Sequence, residues 1–120
     1  MFSWDIALLA HDGHMIYDLD TGACTNNTAG ERKDSIVIGD HVWVGGEAAI
    51  LPHSFIGTGS ICAYRAVIKG TFPNNCIIGG IPARILKKNV AWMRDNICLD
   101  ENMIYRLPEE YRKLTENSEQ

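Results

Sequence analysis

IGDHVW VGGEAA ILPHSF IGTGSI CAYRAV IKGTFP, residues 38 to 73, is a six-residue pattern written six times. Its first position holds Ile38, Val44, Ile50, Ile56, Cys62 and Ile68, all apolar. The second favours small residues, Gly39, Gly45, Gly57 and Ala63, with Leu51 and Lys69 as exceptions. The fifth carries Val42, Ala48, Ser54, Ser60, Ala66 and then Phe72. A period of six belongs neither to a helix nor to an isolated strand. It suits one short strand plus one turn, stacked so that each unit buries its apolar side on its neighbours. Side chains alternate faces along a strand, so the first and fifth positions point inward together. The residue before each first position then points outward. That set, Val37, Trp43, Ala49, Phe55, Ile61 and Val67, is apolar throughout, and a contiguous apolar wall predicts a partner surface.

Outside the repeat the chain changes character three times. Residues 2 to 9, FSWDIALL, are rich in aromatic and aliphatic side chains and lack helix caps, so they read as part of an earlier turn of the same stack. From His11 to Asp34 the periodicity disappears into a run dense in Asp, Asn, Thr and Gly, which predicts a loop projecting from the stack. Gly79-Gly80 permits a sharp turn near the end of the stack, and Pro82 directs the exit. Val90, Met93 and Ile97 follow helical spacing and predict a cap over the last coil, with a second helix start at Pro108-Glu109-Glu110. The division expected is therefore a repeat domain over residues 1–88, with the loop at 11–34, and a helical cap and tail over residues 89–120.

Composition narrows the functional classes. At 120 residues, 46% hydrophobic and 22% charged, the chain reads as one folded domain. A net charge of −4 without a dense basic run argues against nucleic acid, whose phosphates reward clustered Lys and Arg. No apolar run approaches the ~20 residues that a membrane span needs. Met1 is not followed by a charged and then apolar leader, so a cytoplasmic protein is expected. Cys24, Cys62, Cys76 and Cys98 have no paired spacing that would suggest zinc or a redox dithiol. Cys62, at an inward position, reads as a small buried hydrophobe.

Two segments carry a family resemblance. IVIGDHVWVGG, followed by AVIKGTFPNNCIIGGIPARILKKN, resembles the stretch that hexapeptide-repeat acyltransferases carry before their C-terminus, those acting on sugars such as maltose and galactosides above all. SWDIALLAHDGHMIYD resembles the segment that brings in their catalytic histidine. The resemblance implies an all-β solenoid, a left-handed parallel β-helix of roughly three coils closed by a short helical cap. Residues eighteen apart then stack, pairing Ile38 with Ile56, Val44 with Cys62 and Ile50 with Ile68. It also implies a homotrimer with active sites between subunits, acetyl-CoA as the acyl donor and a sugar hydroxyl as the acceptor.

The site residues follow from the same likeness. His14 matches the general base, a role that suits an imidazole titrating near neutrality. Asp5 and Asp12 are both candidates for orienting its ring. Trp43 stands where the family places a tryptophan beside the active-site groove, or else it packs between subunits. Gly46, Tyr64, Lys69, Arg84 and Lys87 fall at coenzyme-contacting positions. Tyr64 and Arg65 replace a small pair common in relatives, and Lys69 is one residue early for its match. His11 is a weaker candidate than His14, and His41 and His53, at the turns, read as surface residues. The beginning at Met1, late relative to the family, motivates a second reading: a non-catalytic trimeric scaffold or truncated remnant. A zinc carbonic anhydrase built on the same helix needs three interface histidines in a spacing that His11, His14, His41 and His53 lack, so no metal site is expected.

Overall fold

The alternation of apolar and small residues resolves into short strands joined by tight corners. The computed structural model describes residues 1–26 and 35–94, together with Glu109. The described strands are β1 (Ala7–Leu8), β2 (Ile36–Ile38), β3 (Trp43–Val44), β4 (Ala49–Ile56), β5 (Ile61–Cys62), β6 (Val67–Phe72), β7 (Cys76–Gly80) and β8 (Ala83–Lys88). They form three ladders. In the first, β3, β5 and β7 pair in parallel. In the second, β1 pairs with the start of β4 and that with the start of β6. In the third, β2 pairs with the end of β4 and that with the end of β6. The expected partners stand side by side: Ile38 with Ile56, Val44 with Cys62, Ile50 with Ile68. Phe2 bridges Val44, and Ala7 pairs with Ala49, so residues 2–9 do lay an earlier turn against the repeat.

The core is the inward column that the period predicts. Val44, Ile50, Cys62 and Ile68 are fully buried, and so are the fifth-position residues Ala48, Ser54, Ser60 and Ala66. The two serines need partners there. Ser54 Oγ donates to the Leu51 carbonyl at 2.7 Å, and Ser60 Oγ to the Pro73 carbonyl at 2.9 Å. Outward, Val37 and Trp43 stay exposed, and Phe55, Ile61 and Val67 are half-buried.

The corners explain the second and fourth positions. At the fourth, the chain turns through the left-handed region: φ is +50° at His41, +57° at Glu47, +64° at His53 and +59° at Arg65, and Asp5 and Asn75 continue the series. A non-glycine residue held there costs on the order of 1–3 kcal/mol, which the ladder must offset. The second position is small because the next turn lies on it. A Cβ on Gly57 would come within 2.4 Å of the Pro73 carbonyl carbon and the Asn74 amide nitrogen, both backbone atoms.

The structure departs from the sequence reading in five places. First, the repeat frame slips after Ile68. Ile56 pairs with Phe72 and Cys62 with Ile78, sixteen residues on, so Phe72 takes a first position and not the fifth. The corner through Lys69 and Gly70 is two residues shorter, which Gly70 allows at φ +112°. Second, the stack does not end in a parallel strand, because β8 turns back antiparallel on β7. Third, no helix begins at Val90. Residues 89–94 run without regular structure, because Trp92 is drawn into a buried contact at another corner. The remainder of the expected cap, residues 95–120, lies outside the described residues apart from Glu109. Fourth, the predicted loop contains a hairpin, in which Tyr17 bridges Cys24 antiparallel; residues 27–34 of it lie outside the described residues. Fifth, His41 is not a surface residue but is half-buried under Trp92.

Two outcomes test this packing. Gly57→Ala should lose about 1–3 kcal/mol of stability, the usual cost of overpacking against atoms that cannot yield, as read by urea denaturation. Burial, with a smaller contribution from neighbouring Cys76, pushes the Cys62 thiol up to about 12. Cys62 should therefore resist a thiol reagent at pH 8 in the folded protein, while the half-exposed Cys24 reacts.

Candidate active site

Parallel pairing places one outward residue from each turn in a row across the first ladder. Trp43 stands beside Ile61 and Ile61 beside Ile77, and Ile77 pairs with Lys87 on β8. Directly opposed residues share a face, so the row reads aromatic, aliphatic, aliphatic, cation. At the usual strand spacing it is about 14 Å long. The antiparallel return of β8 also brings Arg84 opposite Gly79, at the corner end of the same strands. Lys87 thus ends the row and Arg84 stands beside it, both exposed. Lys69 is not. It stands on β6, in the other sheet.

Beside the row, the corner after the first ladder carries an aromatic and charged cluster. The Trp4 ring lies over Gly46, where a Cβ would come within 2.8 Å of it. Tyr64, one turn on, has its ring centre 6.4 Å from that of Trp4. The Tyr64 hydroxyl donates to Glu47, and Arg65 Nε donates to the same carboxylate oxygen at 3.2 Å. These bonds, Tyr64's first, hold the Glu47 carboxyl below the usual carboxylate range. The same bond raises Tyr64. Gly46, Tyr64 and Asp5 therefore gather at one corner, since Asp5, Glu47 and Arg65 are its successive left-handed residues. Glu47 was missed by sequence reasoning. Its signal was its spacing, eighteen residues before Arg65, a charge complement that stacking makes adjacent.

His14 lies elsewhere, on the hairpin that leaves the second ladder after β1. The hairpin is closed by Asp18, whose carboxylate accepts from the amides of Asp20 at 2.8 Å and Thr21 at 3.0 Å. Those bonds hold its carboxyl below the usual range. Asn26 ties the base of the hairpin together: its Nδ2 donates to Asp12 Oδ2 at 2.9 Å and to the His14 carbonyl at 2.8 Å. The structure thus brings Asp12 and His14 together through Asn26, by the main chain of His14 and not its ring. Asp5 is not brought to His14. Among the described residues, no hydrogen bond or ring contact joins this hairpin to the Trp43–Lys87 row.

The C-terminal segment contributes a residue that periodicity did not reveal. Trp92 stacks on His41 with ring centres 4.0 Å apart, and its ring centre is 5.9 Å from that of Trp43. A separate groove of about 370 Å³ on the third ladder, lined by Val37, Phe55, Thr58, Thr71 and Asn74 among others, holds none of the candidate catalytic or coenzyme residues. No cluster of metal-ligating side chains occurs among the described residues. No helix among them is long and apolar enough to cross a membrane.

The corner cluster makes a direct prediction. The form that Tyr64 and Arg65 hold is the ionised carboxylate, so the contact exists above the ordinary carboxylate range and is lost as pH falls through the lowered value. In Tyr64→Phe, the Glu47 carboxyl resonance should titrate at higher pH than in the wild-type chain, as read by carbon NMR. An unchanged titration would assign the shift to something other than the tyrosine.

Comparison with known proteins agrees with the repeat. The polysialic acid O-acetyltransferase of Escherichia coli O1:K1 is 35% identical over 94 residues, 78% of this chain and 29% of its own length. The crystal structure of the polySia-specific acetyltransferase NeuO matches with a TM-score of 0.71 at 34% identity, over 78% of this chain and 38% of NeuO. A hexapeptide-repeat-containing acetyltransferase of Vibrio cholerae matches with a TM-score of 0.50 at 28% identity, over 70% of this chain and 44% of its own. No family model matches the chain. The chain spans less than half the length of each of these relatives. By its six-residue period, the parallel ladders that the period builds and these likenesses, the chain belongs to the hexapeptide-repeat acyltransferase family.

Proposed function

We propose that the chain serves an acetyl-CoA-dependent O-acetyltransferase that modifies a hydroxyl of a sugar in a surface polysaccharide or its precursor. The observation that carries this reading is the Trp43–Ile61–Ile77–Lys87 row. It offers an apolar track along the stack, with Lys87 and the neighbouring Arg84 at one end for phosphates and an aromatic at the other. The polysaccharide acceptor is suggested by the relatives, two of which are named for polysialic acid. The three ladders support a left-handed parallel β-helix of about three coils. The cytoplasm, where acetyl-CoA is made, is the compartment in which such a reaction would run.

His14 is the base in this proposal. Its neutral imidazole takes the proton of the sugar hydroxyl as the oxygen attacks the thioester carbon. The carbon–sulfur bond then breaks, and the imidazolium returns the proton to the departing coenzyme thiolate. Backbone amides of the corners would face the developing oxyanion. His14 sits on a hairpin away from the row of its own chain, so the proposal needs a second copy whose row the hairpin meets. A trimer, with three sites between subunits, satisfies that need and covers the apolar wall beside the track, Val37, Phe55 and Val67.

Native mass spectrometry with and without acetyl-CoA tests both parts. A trimer taking up to three coenzymes is expected. A trimer that ignores the coenzyme would instead mark a non-catalytic scaffold, with the Tyr64 corner as the obstruction. In a transfer assay, His14→Ala should lower kcat by about 10²–10⁴-fold without altering assembly. Undiminished turnover by that variant would remove His14 as the base.

A further inference from the structure

We infer that Trp92 is a positioning residue for Trp43, fixing the aromatic end of the track against which the acceptor sugar ring rests. The inference builds on the proposed acetyl transfer for its kinetic consequence, but its structural part stands alone.

The contact between Trp92 and His41 is reciprocal. The Trp92 Nε1–H donates to the His41 carbonyl at 3.0 Å, and the His41 ring, through Nε2, bonds the Trp92 carbonyl at 2.8 Å. Their rings are parallel within 4°. Each residue thus holds the other by ring and by main chain, across 51 positions of sequence. The segment is pinned a second time, where the Val90 amide donates to the Asn75 carbonyl at 3.0 Å. Asn75 and His41 are left-handed residues of the same corner on different turns, so residues 90–92 run back along that corner and strap its turns together.

Trp43 is two residues from His41, and this geometry bears on it directly. Its indole leans on Trp92 at 51°, and it keeps 36% exposure while Trp92 keeps 8%. The Trp43 ring therefore meets, at a tilt, a buried and doubly hydrogen-bonded partner, while more than a third of the residue stays exposed. A lone tryptophan on a flat outer wall samples several rotamers, and binding against it must pay for fixing one. Trp92 removes that freedom beforehand. An exposed indole face held still in this way suits the C–H face of a sugar ring.

The test uses the full chain, labelled with 5-fluorotryptophan so that Trp4, Trp43 and Trp92 give separate fluorine resonances. In Trp92→Ala, the Trp43 resonance should move towards the position of a solvated indole. Trp92→Phe keeps a stacking ring but cannot donate to His41, and should move it part of the way. A Trp43 resonance unmoved by either variant overturns the inference. In acetyl transfer with polysialic acid as the acceptor probe, Trp92→Ala should raise the acceptor KM roughly three- to tenfold, the cost of fixing one side chain, with kcat unchanged and partial rescue in Trp92→Phe. A fall in kcat alone, in proportion to lost folded protein, would make Trp92 merely structural and also overturn it. A wild-type chain that transfers no acetyl group would sink the proposed function, and the fluorine spectra would then decide the contact by themselves.

Discussion

Everything in this structure depends on one constraint: each turn of chain must present its backbone to the next in register, because the strands are too short to stand alone. Two- and three-residue strands such as β2, β3 and β5 have no independent stability. They persist because the next turn lies in register beside them, as Trp43 beside Ile61 and Ile36 beside Ser54. The register then dictates the side chains. An inward column of Val44, Cys62 and Ile78 stays unbroken only while the turns keep equal length or shorten at a permissive corner.

The corners are where this constraint becomes costly and where chemistry collects. Six non-glycine residues in left-handed backbone, from Asp5 to Asn75, hold conformations that few side chains favour. Their side chains are thrown outward and brought into vertical register with one another. That is why Glu47, Tyr64 and Arg65 meet, and why His41 is available to Trp92. Stacking converts sequence neighbours eighteen apart into spatial neighbours, so a surface cluster can be assembled without any loop to carry it.

The proposed site is divided by the same logic. The ladder supplies a rigid track from Trp43 to Lys87, and β8 contributes its cationic end by reversing direction. The hairpin supplies His14 on a separate, exposed arm whose tip, at Leu19, is 98% exposed. Neither part completes the other within one chain. The hairpin's polar bonds, from Asp18 and Asn26, are local and hold its shape without packing it on its own ladders. Division of this kind fits an assembly in which rigidity comes from stacking and reach comes from an excursion.

The sequence alone determined the inward column, the outward apolar wall, the eighteen-residue pairing and the turn of chain laid down by residues 2–9. The column and the wall follow from a short period and the alternation of faces, which are local rules; the reading of residues 2–9 follows from their apolar composition, and the eighteen-residue pairing from the likeness to a family that winds three six-residue units into a coil. Only the tertiary structure decided where the period slips, since Lys69 and Gly70 look like an ordinary corner until Phe72 is seen beside Ile56. It likewise decided the reversal of β8 and the return of Trp92 to His41. Those depend on free energies of contacts between distant segments, and no periodic pattern records them: the helical spacing that starts at Val90 and Met93 yields no regular structure over residues 89–94, while the residue that governs them, Trp92, falls outside that spacing. The burial of one large aromatic against His41 and Trp43 outweighs the helical pattern that opens at Val90.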